Sequence, residues 1–410
     1  MAVLDLKRKL AILSDAAKYD ASCASSGTTK RDSRDGRGVG SSGPGLGICH
    51  AYAPDGRCIS LLKILLTNFC VYDCAYCINR VSSNVPRARF SVQEVVDLVL
   101  GFYKRNYIEG LFLSSGIIRD EDYTMGALVQ VAKTLREVHD FRGYIHLKVI
   151  ADASPELIAE AGLYADRLSA NIELPKDESV ELLAPQKSVL GVKKAMGSLK
   201  TRIDEAKEAR AVRAPVPKFA PAGQSTQLIV GADTATDGDI LTRSETLYGS
   251  YGLRRVYYSA FSPIPDSTAR LPVVAAPLLR EHRLYQADWL MRFYGFSRTE
   301  ILAGGEQGML DPVVDPKLAW ALRRRDFFPL DVNRASREQL LRVPGLGVKS
   351  VDKLLAARRY KVLRLEDVGR VCRGLGKVRP FLVASDWRPV ALADQLDLGL
   401  RPRVEQLSLL

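Results

Sequence analysis

Between residues 59 and 261, short apolar runs alternate with helical stretches six times, and nothing else in this chain restricts its fold as strongly. The runs are 59–66, Gly110–Ser115, Tyr144–Ile150, Arg167–Glu173, Thr226–Ala232 and Arg254–Phe261. Their length and their content of branched and aromatic residues read as strands. Between them, Ser91 and Glu94 form a capping box that opens a helix over Val92–Arg105. A second helix is expected over Met125–His139, and Ser154-Pro155 places proline at the first position of a third. Strands joined by crossover helices run parallel, with the helices packed outside. The expected fold is therefore α/β, a partial (β/α)6 TIM-like barrel, followed by an α-helical C-terminal domain. Function in such barrels gathers at the carboxyl ends of the strands.

Four segments follow from this reading: an N-terminal helix and Gly/Ser-rich loop (1–54), the barrel (55–295), a linker (296–325) and the C-terminal domain (326–410). Residues 22–47 are too rich in Gly and Ser to pack against a core, and a loop or lid is expected there. No run has the length of a membrane span, and the N-terminus mixes charge with apolar residues, so a cytoplasmic protein without membrane contact is expected. The formal charge is +12, and residues 321–410 hold 19 Lys+Arg against 10 Asp+Glu, or +9. That asymmetry suits either a polyanionic partner or a solvated basic surface that aids solubility. Residues 185–218, with 9 basic and 3 acidic residues, form a smaller basic insertion, read as either a phosphate contact or a solvated helix.

Three cysteines, Cys70, Cys74 and Cys77, follow the first strand and so lie at the barrel's carboxyl end. A closed structural metal site takes four protein ligands, whereas three thiolates leave one iron of a cubane open. The Cys-x3-Cys-x2-Cys spacing, with Tyr76 just before the last cysteine, resembles the radical S-adenosylmethionine (SAM) superfamily over roughly residues 55–265. The resemblance implies that these cysteines bind a 4Fe–4S cluster whose open iron chelates SAM, and that one electron cleaves SAM to methionine and a 5′-deoxyadenosyl radical. It also implies cofactor contacts at Tyr76, Ser114, Ser115, Gly116 and Gly231. Two serines stand where the superfamily more often has Gly-Gly-Glu. Ser169, Asn171 and Glu173 alternate along the fourth strand and should share its inner face, as cofactor contacts or as barrel packing.

The C-terminal segment carries Leu330–Pro344, read as a capped helix, then Gly345-Leu-Gly347 and a second helix over Val348–Arg359. Gly374-Leu-Gly376-Lys377 repeats the turn more weakly. Together they resemble a pair of helix-hairpin-helix modules. The resemblance implies backbone contacts to DNA through Gly345, Gly347, Lys349, Gly374, Gly376 and Lys377, with RNA as the nearest alternative. More closely, Lys18-Tyr19-Asp20, Cys23, Gly47-Ile-Cys-His50, Asp55–Asn68 and the hairpin resemble a radical SAM family associated with DNA modification or repair. An electron donor such as a flavodoxin or ferredoxin is then a further expected partner. A redox-sensing iron–sulfur DNA-binding protein without turnover is the alternative from another class. Cys23, Cys49, Cys58 and His50 are candidates for a second metal, but their irregular spacing favours unconnected thiols. No radical-relay or other catalytic residue stands out, and Tyr257 and Tyr258 read better as core.

Overall fold

The computed structural model describes residues 4–17, 47–52, 58–212, 217–372 and 374–389. Cys23, Lys18-Tyr19-Asp20 and residues 22–46 lie outside them. The described chain divides into two compact units.

The first unit begins with α1 (Leu6–Ala17) and a seven-stranded sheet in strict sequence order: β1 (Ile48–Tyr52), β2 (Cys58–Leu65), β3 (Gly110–Ser114), β4 (Tyr144–Lys148), β5 (Arg167–Ser169), β6 (Gln224–Val230) and β7 (Arg255–Ala260). Strands β2 to β7 are the six expected ones and pair in parallel; β1 adds an antiparallel edge that the periodicity did not reveal. Helices α2 (Val92–Lys104), α3 (Glu121–Lys133, extended by a π turn over Thr134–Val138), α4 (Pro155–Tyr164), α5 (Asp177–Leu183), α6 (Val189–Ala211) and α7 (Asp237–Tyr251) supply the crossovers. α3 starts four residues before the expected Met125, because Asp120 caps it by accepting a hydrogen bond from Tyr123 N at 2.7 Å.

Strand order matching chain order means every unit winds the same way, which curls the sheet into an open half-barrel. Its outer face is apolar over β2 to β5, where Leu62, Ile64, Leu111, Leu113, Ile145, Leu147 and Leu168 are all fully buried, as sheets covered by helices require. The inner face differs. Register places Lys63, Phe112, His146 and Arg167 in one row, and Lys148, Ser169, Ser225 and Arg255 in the next. Such polar rows are sustained only by mutual hydrogen bonds, such as His146 Nε2 to Ser169 Oγ at 3.0 Å and Arg167 Nη1 to Tyr257 Oη at 3.3 Å.

The second unit comprises residues 235–242 and the described part of 277–407. It holds α8 (Leu278–Phe293), α9 (Arg298–Leu302), α10 (Pro316–Arg323), β8 (Leu330–Asp331), α11 (Arg337–Arg342), α12 (Val348–Ala357), α13 (Leu365–Val371), α14 (Leu375–Val378) and β9 (Leu382–Val383). Residues 296–325 pack here as core, with Ile301, Trp320 and Ala321 buried, although the sequence suggested a linker. The reason is a run of edge-to-face aromatic contacts, Phe296–Trp320, Trp320–Phe328 and Phe328–Phe381, at 5.4, 6.1 and 5.0 Å, that joins this segment to the C-terminal helices. Leu330–Pro344 is not one helix. β8 pairs with β9, and the Asn333 side chain exchanges two hydrogen bonds with Leu363, which holds the chain out of helix until Ser336 caps α11. No helix among the described residues is long and apolar enough to cross a membrane.

Trp320, 4% exposed and touching three phenylalanines, should be the costliest truncation in this unit. Trp320→Ala is expected to lose about 3–5 kcal/mol. Urea denaturation should show an early transition for this variant, and an unchanged midpoint would refute the assignment of this cluster as the unit's core.

Candidate active site

The cysteine loop starts where β2 ends, and its backbone continues the parallel pairing with the chain leaving β3. Leu66 N donates to Ser114 O, Gly116 N to Thr67 O and Val71 N to Ile117 O, each at 2.8 Å. A short turn, Cys77 N to Cys74 O at 2.9 Å, then brings the second and third thiols together. Two backbone N–H groups point at sulfur: Ile117 N lies 3.4 Å from Cys70 Sγ, and Asn79 N lies 3.4 Å from Cys77 Sγ. Hydrogen bonds of this kind stabilise ligating thiolates and tune the metal they hold.

All three cysteines line one cavity of about 390 Å³. Ser115 and Gly116, Lys148, Asp152, Asn171, Glu173, Lys187 and Gln227 line it too. Glu173 is 5% exposed and accepts a hydrogen bond from Lys187 Nζ at 2.6 Å, while that ammonium group lies 5.9 Å from the Tyr76 ring centre. Burial alone would lower Lys187, but Glu173, Tyr76 and Cys74 hold it well above its ordinary value, so it stays charged. Asp152 is pushed up by burial.

The donor set fits an iron–sulfur cluster. Desolvation pushes the Cys77 thiol up to about 12 and raises Cys74 as well. Thiolates there need a cation that replaces the lost solvation, and bound iron would supply it. Among the described residues no three His, Cys, Asp or Glu side chains converge on a single ion. A mononuclear site needs thiolate sulfur about 2.3 Å from one metal, whereas a cubane spreads its ligands over separate irons.

Residues 64–242 match the model of the radical SAM superfamily. They form a radical SAM domain. That superfamily uses a 4Fe–4S cluster and SAM. Among solved structures the chain is similar to the FeFe-hydrogenase maturase HydG from Carboxydothermus hydrogenoformans, with 16% identity over 55% of this chain and 50% of that one, at a TM-score of 0.41. It is also similar to methylornithine synthase PylB, with 13% identity over 56% and 60% at a TM-score of 0.40. A third is the radical SAM methyltransferase TsrM from Kitasatospora setae, with cobalamin and a 4Fe–4S cluster bound, with 11% identity over 50% and 36% at a TM-score of 0.34. The chain thus spans less than two thirds of each of these proteins. No curated protein matches it.

Of the residues expected at the radical SAM site, Tyr76, Ser115, Gly116, Asn171 and Glu173 line the cavity with the cysteines. Ser114 and Ser169 are buried deeper in the barrel, and Gly231, at φ +80°, forms the turn after β6. Tyr258 points at α7, its hydroxyl 2.9 Å from Ser244 Oγ, so it is core. Sequence reasoning missed Lys148, Asp152, Lys187 and Gln227 as cavity residues. Lys148 was visible in the same alternation as His146, and Lys187 opened the basic insertion. Cys23 lies outside the described residues, and the described members of the candidate second metal set do not converge: successive residues of β1 face opposite ways, so Cys49 packs against Ile59, Leu61 and Phe112, away from His50. Cys58, opposite Tyr52, lies on the His50 face and is exposed.

In the second unit the two glycine turns meet. Gly345 has φ +86°, and a Cβ there would come within 2.8 Å of Val378 Cγ2 and 3.2 Å of Lys377 Cβ. Gly347 precedes the first turn of α12, Gly374 that of α14, and Lys349, Gly376 and Lys377 are exposed. Beneath the first turn, Lys317 donates to Leu346 O at 2.6 Å from an 8% exposed position, and burial lowers it to about 7.

Gly116 carries a sharp requirement, because a Cβ there would lie 2.4 Å from Phe69 O and 3.3 Å from Cys70 Cβ. Gly116→Val should push the cysteine loop off its frame, costing about 1–3 kcal/mol. Reconstituted iron per chain is expected to fall well below the wild-type value, and full iron loading would disprove the coupling. A second expectation concerns Lys317. Its folded value near 7 lies below the unfolded 10.5, so unfolding takes up a proton between those limits and stability rises with pH across them. The denaturation midpoint of wild type, compared with Lys317→Met, should therefore climb from pH 7 to pH 10. Parallel pH profiles would contradict it.

Proposed function

We propose that this chain is a radical SAM enzyme that modifies or repairs DNA. Cys70, Cys74 and Cys77 would hold the cluster, and the bound cluster and SAM together supply a 5′-deoxyadenosyl radical for hydrogen abstraction. The chain's own residues do the positioning. The Ile117 and Asn79 N–H groups orient two of the thiolates. Glu173 and Lys187 offer paired charges to the amino and carboxylate ends of an amino acid, and Asn171 and Gln227 offer amides to hydroxyls or ring nitrogens. The apolar wall of Val149, Ile150, Phe261 and Ile264 keeps water from the reacting carbon.

The observation that carries the polymer substrate is the meeting of two glycine turns in a segment of net charge +9. The backbone N–H groups that follow Val348 at the start of α12, with Lys349 beside them, suit a phosphate, and two adjacent turns suit successive phosphates of one backbone. A cavity of about 390 Å³ admits no duplex, so the target nucleotide would be extruded into the barrel. A low-potential carrier such as a flavodoxin or ferredoxin would provide the electron.

The test is anaerobic incubation of the reconstituted protein with reductant, SAM and pools of damaged or undamaged DNA, followed by nucleoside mass analysis. We expect 5′-deoxyadenosine, stimulated by DNA and abolished by Cys70→Ala, Cys74→Ala or Cys77→Ala. Binding to duplex should weaken steeply with salt. Product formation indifferent to DNA, without measurable DNA affinity, would remove the polymer substrate; preference for matched RNA would reassign it.

A further inference from the structure

Two arginines are built into the back of the cysteine loop. Arg87 Nη1 donates to Asn68 O in a very short contact and to Asn79 O at 2.8 Å. Its Nη2 donates to Arg80 O at 2.5 Å and to Ser83 O at 2.9 Å. Asn68 stands two residues before Cys70 and Asn79 two after Cys77, so a single guanidinium fastens both ends of the loop. Arg87 is itself fixed from either side, since the Asn68 side chain donates to Pro86 O and accepts from Ala88 N, both at 2.8 Å. Arg80, 3% exposed, donates to Cys77 O at 3.2 Å, and to Pro265 O and Asp266 O at 3.1 and 2.6 Å.

Every one of these hydrogen bonds ends on a neutral carbonyl. Asp73 lies within electrostatic reach of Arg80, but its carboxylate accepts from Ser82 N and Ser82 Oγ. Arginines held only for structure are ordinarily matched by carboxylates, because an uncompensated cation away from water is costly. Burial and the neighbouring Arg80 both disfavour the charged form of Arg87, and the Cys70 and Cys77 sulfurs, once they are thiolates, would offset part of that cost. The arrangement is complete only when the loop is anionic.

We infer that Arg87 and Arg80 are positioning residues for the cluster, pre-forming its thiolate loop and raising its reduction potential. The inference rests on the radical SAM reading of Cys70, Cys74 and Cys77. Its physical basis is that reduction adds a negative charge to an already anionic cluster, and a fixed cation nearby stabilises that added charge. Arg80, being buried, should act more strongly than Arg87, whose partial exposure allows solvent to screen it.

The experiment uses the reconstituted full-length chain and reads EPR-monitored potentiometric titration and iron release to a chelator. Arg80→Met is expected to lower the ratio of reduced to oxidised cluster at a fixed poise about tenfold, a shift of about 59 mV for a one-electron couple, and Arg87→Met to lower it by less. Arg87→Lys keeps the charge but cannot span four carbonyls. It should hold the wild-type potential and release iron several-fold faster. Wild-type potentials and release rates in both methionine variants would overturn the inference. If circular dichroism shows that those variants do not fold, Arg87→Lys and Arg80→Lys decide the matter: faster release at unchanged potential supports it, and wild-type release refutes it. The underlying reading fails separately, if wild type binds fewer than four irons at the cysteine loop or its cluster spectrum ignores SAM.

Discussion

The open end of the barrel depends on one run of backbone pairing, the three hydrogen bonds that join the chain leaving β2 to the chain leaving β3. Each such bond contributes only about 1 kcal/mol net, so the run cannot hold itself together. It is sustained by the apolar outer rows beneath it, where Leu62, Ile64, Leu111 and Leu113 are fully buried and fix the register of the two strands. Register then decides chemistry. A slip of one residue would turn Lys63 and Leu65 outward and carry Cys70 away from Ile117 N. Gly116 permits the closest approach in this run, since Phe69 O occupies the place its side chain would take.

Above that frame the barrel interior departs from ordinary core composition. Glu173 adopts φ +66°, an unfavourable backbone for a residue with a Cβ. It is held there by two backbone bonds to β6, with Gln227 O at 3.1 Å and from Ile229 N at 2.7 Å, and by the Lys187 ion pair. Strain of this kind persists where the surroundings over-determine it, and it concentrates at functional sites. The same segment explains why β5 is short. The strand pairs only through Ser169, then Asn171 and Glu173 bend into the cavity as a bridge to Leu228 rather than as ladder.

Most of the barrel was legible in the sequence because its strands are apolar on the outer face and bounded by capped helices. Ser91 with Glu94, and Pro155, marked helix starts that the structure reproduces. The cysteine triplet was legible because its spacing and its place after β2 agree. What escaped notice depends on contacts distant in sequence. The packing of 296–325 comes from Trp320 meeting Phe328, and Phe328 meeting Phe381, an arrangement no local pattern announces. Leu330–Pro344 kept helical spacing but lost its first turn to Asn333, whose partner Leu363 lies 30 residues on. Arg87 was invisible for the same reason: it resembles any surface arginine until the loop folds over it.

Charge is distributed as unevenly as structure. The chain carries +12, of which +9 belongs to residues 321–410, leaving +3 for the first 320. The cavity itself mixes signs, with Lys148 and Lys187 against Asp152 and Glu173. The ninety residues 321–410 thus concentrate charge of one sign, while the barrel cavity presents charges of both signs. Under the proposed function this separation has a physical use. Phosphate contacts supply affinity without sequence information, and so do not discriminate among nucleotides. Discrimination would then fall to a cavity whose amides and ion pair are fixed by the barrel. A strongly basic barrel mouth would hold any phosphate it met, substrate or not; a balanced one admits a nucleotide on the fit of its base and sugar.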